Sequence, residues 1–348
     1  MVPPDHHGDG MMPAMRVYAG VDEAGYGPMF GPLVVGRAVF GLEGDGSDAH
    51  CPDLWKLLSK VVCRDLKSAR RGRIAVNDSK KLHKTGRGIA KVRHLERGVL
   101  AFTAMADKQP VTVCDWLDAL GETAHHDLAA LPWYAPGDDQ PWQPLPCAIT
   151  RGELAIDRAM LRHAAQRSGV QLLDIGASVV FEDRFNRMVA ATRSKAATSF
   201  TFVAGHLQAV WRQFAEHAPT VIVDRQSGRT HYRELLALNF PEAYLTIEHE
   251  RNDSSQYLLE TSSPHRRAMT VRFEIDAEQR HLPVALASMI SKYTRELLMA
   301  RFQHWFTRHA PRVKPTAGYA LDAKRFWRQI KPMLPELSIA DRQLRRMS

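Results

Sequence analysis

Most decisive for the fold is the stretch Gly20-Val21-Asp22-Glu23-Ala24-Gly25-Tyr26-Gly27-Pro28, in which two adjacent carboxylates end an apolar run and open into a glycine-rich turn. Adjacent acids repel, so burying them together costs free energy unless a cation or a hydrogen-bond donor compensates the charge. The pair is therefore a candidate metal site. Gly25 and Gly27 would let backbone N–H groups come close to a phosphate or a sugar.

The pattern around this stretch predicts strands and helices in alternation. Residues 16–21 are predicted to form a strand that ends at the acidic pair, and residues 32–40 an antiparallel strand beside it. Thr220-Val221-Ile222-Val223-Asp224 is a short β-branched strand with a carboxylate at its exit. Further strands are predicted at 243–247 and 269–275, and helices at 54–66, 151–168, 203–218, 283–302 and 324–334. This order is typical of a mixed α/β domain.

Four acids stand where such a fold would gather them. Asp22 and Glu23 end the first strand, Asp224 ends a later one, and Glu278 precedes the long helix, whose N-terminus favours an anion. Carboxylates at strand ends meet along one edge of an open sheet. They ionise together only if cations hold them, and nucleases commonly use two Mg²⁺ ions roughly 3.5–4 Å apart. Asp276 competes with Glu278, because on a strand both side chains would point to the same face.

Composition limits the function classes. The 348 residues suffice for one large domain or two ordinary ones, and 47 basic against 38 acidic residues give a net charge of +9. Such a balance attracts polyanions, most commonly nucleic acid. No apolar run approaches the roughly 18 residues of a membrane span. The four cysteines match no zinc spacing and are expected to be free thiols in a reducing cytoplasm. Residues 1–14 carry no apolar signal region and are expected to form a disordered tail.

Several blocks resemble one family. Residues 20–35 resemble the opening motif of the type 2 ribonucleases H, that is, ribonucleases HII and HIII. Asn77-Asp78-Ser79-Lys80-Lys81-Leu82 is similar to the family's D-S-K-x-L segment, and residues 221–224 to the strand that carries its third acid. Residues 277–293 are similar to the fourth-acid region and its helix. The four blocks follow the family's order between residue 16 and about residue 320.

Some motifs resemble one branch of the family more closely than the other. Phe30-Gly31-Pro32-Leu33-Val34-Val35 resembles ribonuclease HIII, in which the fourth acid is a glutamate placed ten residues before the helix serine; counting back from Ser288 reaches Glu278. Gly318-Tyr319 resembles a late G-Y motif of the HII branch. Tyr26 departs from the pattern, because family members carry Arg or Lys between the two glycines of a loop that helps recognise the ribose 2′-hydroxyl. The G-Y-G loop is thus divergent.

The resemblance implies a ribonuclease H-like α/β fold over residues 15–348, with a mixed five-stranded sheet flanked by helices and a C-terminal helical extension. Insertions are expected near 41–75 and 106–150. The second is expected to be an insertion or a surface subdomain, and its tryptophans are expected to pack locally. The resemblance also implies an endoribonuclease that cuts the RNA strand of RNA/DNA hybrids or embedded ribonucleotides. Two Mg²⁺ or Mn²⁺ ions would be held by Asp22, Glu23, Asp224 and Glu278, and the products would carry a 3′-hydroxyl and a 5′-phosphate.

The substrate-binding residues expected from these motifs are Gly25, Tyr26, Gly27, Lys80, Lys81 and Tyr319. The lysines would act as point charges on the nucleic-acid backbone, and Tyr319 would stack on a base or sugar. We expect a cytoplasmic monomer with no membrane association. His281 is a further candidate as a proton shuttle. Two alternatives remain: a catalytically inactive homologue that binds nucleic acid, and a ribonuclease H-like nuclease with another substrate, such as DNA junctions.

Overall fold

The computed structural model describes residues 15–44, 51–83, 88–121, 128–138, 140–225, 228–262 and 266–347. The tail expected at residues 1–14 lies outside these ranges. So do residues 45–50 of the first predicted insertion and residues 122–127 and 139 of the second. None of the helices in the described ranges is long and apolar enough to cross a membrane.

A seven-stranded mixed sheet forms the centre of the molecule, with the order β5-β2-β1-β6-β9-β8-β7. Strand β1 pairs with β2 antiparallel and with β6 parallel, and β6 pairs with β9 parallel. A separate two-stranded sheet joins β3 and β4. The bounds are β1 Met15–Ala24, β2 Leu33–Glu43, β3 Val62–Cys63, β4 Ile74–Ala75, β5 Val170–Val180, β6 Thr220–Asp224, β7 Tyr244–Glu250, β8 Ser254–Glu260 and β9 Ala268–Glu274.

Helices cover both faces of the large sheet, and the apolar core is accordingly divided in two. Alternation along β1 sends Tyr18 into one half of the core, and Val17, Ala19 and Val21 into the other. The helices are α1 Leu54–Leu57, α2 Leu66–Ala69, α3 Ser79–Leu82, α4 Arg93–Thr103, α5 Val113–Ala119, α6 Arg151–Arg167, α7 Glu182–Thr192, α8 Lys195–Phe214, α9 Arg233–Asn239, α10 Leu282–His309, α11 Ala320–Ile330 and α12 Asp341–Leu344.

The long helix α10 packs directly on the centre of the sheet, and one glycine permits this approach. A Cβ atom on Gly20 of β1 would lie 2.2 Å from the backbone nitrogen of Val284 and 2.3 Å from the carbonyl carbon of Pro283. Any other side chain at this position would force β1 and α10 apart. Strand β1 ends at the acidic pair. The same contact therefore fixes the position of Asp22 and Glu23 relative to the first turn of α10.

The predicted fold class is confirmed as a mixed sheet flanked by helices, but the sheet has seven strands rather than five. Strands β5 and β8 were not predicted, because β5 is interrupted by Asp174 and Gly176 and β8 begins with three polar residues. The helix predicted at 54–66 is wrong beyond Leu57. There the chain turns, and Val62 pairs with Ile74 as a strand instead.

Residues 106–150 do not form a surface subdomain where they are described. The indoles of Trp116 and Trp133 are buried in the half of the core that also contains α10. Trp116 donates a hydrogen bond from Nε1 to Thr294 Oγ1 at 3.0 Å. Trp142 is partly buried, with the Arg301 guanidinium 4.2 Å from its ring centroid. The tryptophans therefore pack as predicted, but against the main core.

Candidate active site

Two parallel strands place Asp22 and Asp224 side by side. Val21 of β1 is in register with Val223 of β6, so the residues that follow them lie next to each other at the carboxyl ends of the strands. The side chain of Asp22 is buried, and that of Asp224 is half-buried. Glu23 follows Asp22, and its backbone N–H donates to Asp22 Oδ1 at 2.7 Å. The strand order therefore accounts for three of the four predicted acids.

Glu278 reaches the same edge from a single 3₁₀ turn, Ala277–Gln279, directly before α10. The backbone N–H of Ala277 donates to Asp224 Oδ1 at 2.9 Å and ties this turn to β6. Asp276 precedes the turn in the left-handed conformation, with φ of 52°, and its side chain is exposed. Only Glu278 of these two acids lines the cleft. Strand β9 ends at Glu274, so Asp276 and Glu278 do not lie on a strand and their side chains do not share one face.

The acids line one cleft of about 240 Å³ together with the glycine-rich loop. Every predicted metal-binding and substrate-binding residue lines this cleft except Lys81, whose side chain is exposed. The lining residues are Asp22, Glu23, Ala24, Gly25, Tyr26, Gly27, Pro28, Asp78, Ser79, Lys80, Asp224, Glu278, Ser288, Lys292 and Tyr319.

The cleft holds more negative charge than its surroundings neutralise. Burial, followed by the charges of Asp224 and Glu23, raises the pKa of Asp22 well above its usual value. Burial and then the charge of Glu278 raise the pKa of Asp224 to about 8. Burial works to lower the pKa of Lys80, but Asp78, Asp22, Glu278 and Asp224 outweigh it and the pKa is raised. Lys80 is thus a partial counter-charge to the cluster.

The donor set suits a hard divalent cation. Within the described ranges no three His, Cys, Asp or Glu side chains are placed so that they could hold one metal ion, so the carboxylates share the cleft without yet forming a coordination sphere. Their oxygen atoms are the ligands that Mg²⁺ and Mn²⁺ prefer. Glu278 Oε2 is buried and has no hydrogen-bond partner among the described residues. These residues fit a divalent cation, which would relieve both the repulsion and this unpartnered oxygen.

Sequence reasoning missed four residues that support the acids. Ser291 Oγ donates to the backbone oxygen of Asp22 at 3.0 Å, and Ser288 Oγ donates to Ser79 Oγ at the same distance. Asp78 Oδ1 accepts from the N–H of Lys80 at 2.9 Å and so caps helix α3. The signal was present, because Asp78, Ser79 and Ser288 lie inside the blocks that carried the resemblance.

Two buried arginines hold the loop behind the acids. Arg295 of α10 donates from Nη2 to Phe30 O at 3.0 Å, and a Cβ on Gly25 would lie 2.7 Å from Arg295 Nε. Arg346 donates from Nε to Pro28 O at 3.0 Å and also hydrogen-bonds to the carbonyl of Gly25. Gly25 has φ of 89°, which favours glycine. Gly27 is exposed, and a Cβ there would meet nothing within 4 Å. The loop is therefore rigid on its inner side and open on its outer side.

The two predicted aromatic contacts differ in setting. Tyr26 is half-buried and packs against the half of the core that contains α8, so its ring replaces the expected basic side chain with an apolar surface. Tyr319 is 43% exposed, and the guanidinium of Arg295 lies 5.1 Å from its ring centroid. Tyr319 is thus available for contact with a ligand in the cleft rather than packed in the core.

His281 does not line the cleft and is tied elsewhere. Its Nε2 lies 2.9 Å from Glu274 Oε2, and its Nδ1 hydrogen-bonds to the hydroxyl of Tyr18. Glu274 also pairs with Arg280 at 2.8 Å. The histidine therefore connects β1, β9 and the start of α10, and the proton-shuttle interpretation is not supported.

No family model matches the chain, and no curated protein matches it. Solved structures similar to it include ribonuclease HII of Archaeoglobus fulgidus, determined as a complex with PCNA (16% identity, 95% of this chain and 94% of that chain, TM-score 0.40). Others are ribonuclease H2 of Pyrococcus horikoshii OT3 (17%, 94% and 92%, 0.38) and Bst-RNase HIII in complex with Mn²⁺ (14%, 95% and 66%, 0.42). All three are type 2 ribonucleases H. The identities do not exceed 17% and the TM-scores do not exceed 0.42.

Proposed function

We propose that this protein is an endoribonuclease that hydrolyses the RNA strand of RNA/DNA hybrids, or duplexes at embedded ribonucleotides, with the help of divalent cations. The observation that carries the proposal is the meeting of Asp22, Glu23, Asp224 and Glu278 in one cleft, next to the Gly25-Tyr26-Gly27 loop. These acids come from three separate parts of the chain, in the motif blocks that resemble type 2 ribonucleases H. Acids whose charge is only partly compensated, beside an open glycine loop, suit a cation-assisted reaction on a phosphodiester.

Asp22, Glu23, Asp224 and Glu278 would hold two Mg²⁺ or Mn²⁺ ions. When bound, such ions lower the pKa of water for in-line attack on phosphorus and stabilise the leaving 3′-oxygen, which leaves a 3′-hydroxyl and a 5′-phosphate. The chain's own part is to hold the ligands in place. The hydrogen bond between Ser291 and the backbone of Asp22 and the one between Ala277 and Asp224 fix two of them from the protein side.

The remaining cleft residues would position the nucleic acid. The ammonium group of Lys80 faces the acids and would pair with a phosphate oxygen once cations neutralise them. The exposed backbone at Gly27 leaves room for a sugar or phosphate to approach closely. The half-exposed ring of Tyr319 would stack on a base or sugar at the cleft rim. We further propose a monomer that acts in the cytoplasm, for which the four cysteines, all free in the structure, are suited.

The test is cleavage of two labelled substrates, an RNA/DNA hybrid and a DNA duplex containing one ribonucleotide, with Mg²⁺ or Mn²⁺. We expect cleavage of at least one of them, and loss of that cleavage in Asp22→Asn. Failure to cleave either substrate above the level of Asp22→Asn overturns the enzymatic proposal. Double-stranded RNA and branched DNA in the same panel separate the proposed activity from a related nuclease with another substrate.

A second candidate function is nucleic-acid binding without catalysis, and Tyr26 is the observation that favours it. The phenol ring lies where a positive charge is expected to contact the sugar, and it cannot supply that charge. Hybrid binding that is independent of divalent cations and gives no product over long incubation would support this candidate.

A further inference from the structure

Most of the chain's net positive charge comes from one segment. Residues 51–83 carry nine Lys and Arg against three Asp, a net charge of +6 out of the chain's +9. In the structure this segment is compact, since Val62 pairs with Ile74 and Trp55 donates from Nε1 to Val76 O at 2.9 Å. We call residues 51–83 the basic unit. It falls largely within the region predicted as an insertion.

One end of the basic unit is part of the active-site cleft. Lys80 lines the cleft, and Ser79 accepts a hydrogen bond from Ser288 of α10 at 3.0 Å. Arg64 donates from Nη1 to the backbone oxygen of Gln279 at 3.3 Å, immediately after Glu278. Two basic side chains of the unit, Lys80 and Arg64, therefore lie beside the acids or next to the turn that carries Glu278.

The other end forms a basic groove of about 580 Å³ between the unit and helices α4 and α6. Two acids in the groove are already paired: Asp157 accepts from Arg97 Nε at 2.6 Å, and Glu153 from Arg93 Nη2 at 2.5 Å. Within the described ranges, no carboxylate forms an ion pair with the remaining cations, which are Lys60, Arg70, Arg71 and Arg73. The groove thus holds a surplus of positive charge, which repels itself unless an anion binds.

The turn that presents these arginines is held in place from within. Arg97 donates from Nη2 to Gly72 O at 2.6 Å and from Nη1 to Arg73 O at 3.2 Å. Asp65 caps α2 by accepting from the N–H of Ser68 at 2.8 Å. The exposed side chains of Arg70 and Arg71 therefore project from a rigid turn, and binding a ligand there would cost little conformational entropy of the backbone.

We propose that the basic groove binds the phosphodiester backbone of the nucleic-acid duplex at a distance from the cleaved bond, and that Arg64 and Lys80 lead the duplex from groove to cleft. This inference rests on the proposed function. A guanidinium group can form two parallel hydrogen bonds to the oxygens of one phosphate. A duplex presents a regular row of phosphates that can contact several arginines at once, whereas a small anion can contact only a few of them. The basic unit thereby lengthens the binding surface on one side of the active site.

The test measures hybrid binding in the Asp22→Asn background with EDTA, where no cleavage occurs. Arg70→Gln/Arg71→Gln should weaken binding about tenfold or more and reduce the slope of log K against log salt by about 1.8, since each phosphate contact contributes about 0.9. Arg70→Glu/Arg71→Glu, which changes the charge by twice as much, should weaken binding further. Both residues are exposed, so thermal unfolding should be unchanged.

The matched control is Arg212→Gln/Arg233→Gln, which removes the same charge from exposed positions on α8 and α9. We expect it to change binding less than threefold. The inference is overturned if the groove variant leaves affinity and salt slope unchanged, or if both double variants weaken binding equally. Because this assay needs no turnover, its outcome is independent of whether the protein cleaves the hybrid.

Discussion

Parallel strands in register bring Asp22 and Asp224 together in a buried cleft, where burial and then the charge of Asp224 raise the pKa of Asp22, and burial and then the charge of Glu278 raise the pKa of Asp224. Burial penalises the charged form of each, and the neighbouring charge adds to that penalty. A divalent cation removes both penalties at once, whereas the single ammonium of Lys80 offsets only part of them. The arrangement is therefore costly as a purely structural feature and useful as a cation-binding one.

Gly27 offers a test of the loop that does not disturb the fold. A methyl group there meets no protein atom within 4 Å, so Gly27→Ala should leave the free energy of unfolding nearly unchanged. It should raise KM for the hybrid several-fold, because the methyl group occupies space where the sugar or phosphate approaches. Urea denaturation and steady-state kinetics measure the two effects. An unchanged KM would mean that substrate does not approach this side of the loop.

Glu182, which lies outside the active-site cleft, should make the stability of the protein depend on pH. Its carboxyl group is fully buried and accepts from Gly31 N–H and from the Tyr134 hydroxyl, both at 2.9 Å, and burial raises its pKa to about 7. Between about pH 4.3 and pH 7 the folded protein therefore keeps a proton that the unfolded chain releases. This contribution to stability is full below that window and falls by up to about 1.4 kcal/mol per pH unit across it.

Glu182→Gln removes the titrating group and keeps the acceptor for Tyr134. Relative to the parent, this variant should gain stability as pH rises from 5 to 8, in urea denaturation at each pH. Glu216→Gln, at an exposed position, is the control and should follow the parent. Parallel curves for Glu182→Gln and the parent would show that Glu182 is already ionised throughout.

At the scale of elements, the contact between β1 and α10 carries the site. Helix α10 begins only four residues after Glu278, and its Ser291 donates a hydrogen bond to the backbone of Asp22. A shift of the helix therefore moves acids on both sides of the cleft. Gly20→Ala would place its Cβ 2.2 Å from the backbone of Val284. We expect a loss of about 3 kcal/mol or more in stability, together with loss of cleavage.

Gly205 in the middle of α8 provides the control, because a Cβ there meets nothing within 4 Å. Gly205→Ala should be neutral or stabilising by about 0.5–1 kcal/mol, as expected for alanine in a helix interior. Chemical denaturation compares the two variants. Equal stability of Gly20→Ala and the parent would contradict the close packing of β1 on α10.

Sequence patterns predicted the elements that carry the acids better than the periphery. Strands β1, β2 and β6 were recognisable because their apolar runs are bounded by acids and glycines, and counting back from Ser288 reached Glu278. The choice between Glu278 and Asp276 depended on the left-handed backbone conformation at Asp276. The spacing of apolar and polar residues does not predict such a conformation. Strand β8 was not predicted, because it begins with the polar residues Ser254-Ser255-Gln256 and is stabilised by pairing with β9 rather than by its own sequence pattern.

At the scale of the whole molecule, the segment around Arg346 packs behind the glycine loop of the active site. The N–H of Arg346 donates to Met29 O at 2.9 Å, and its guanidinium, which is buried, bonds to the carbonyls of Gly25 and Pro28. Asn186 of α7 holds the same segment by donating to the carbonyls of Arg342 and Arg345 at 2.8 Å. Contacts across more than 300 residues of sequence could not be predicted from local patterns.

Arg346 should therefore position the glycine loop. Arg346→Ala leaves two or more buried carbonyls unpaired and should cost about 3 kcal/mol in stability. It should also raise KM for the hybrid at temperatures well below unfolding, and Arg346→Lys should recover part of both. Arg342→Ala, at an exposed position, is the control. If Arg346→Ala lowers thermal stability but leaves KM unchanged, Arg346 has only a structural role and does not position the loop for substrate binding.

The most direct test of the account is Mn²⁺ binding measured together with cleavage of a labelled hybrid. We expect the parent to bind Mn²⁺ and to cut the RNA strand, and Asp22→Asn, Asp224→Asn and Glu278→Gln each to lose binding and about 100-fold or more of the activity. Asp276→Asn, altered only two residues from Glu278 but outside the cleft, should behave as the parent. Absence of Mn²⁺ binding by the parent, or equal losses in Asp276→Asn and Glu278→Gln, would contradict the assignment of Asp22, Asp224 and Glu278 as cation ligands.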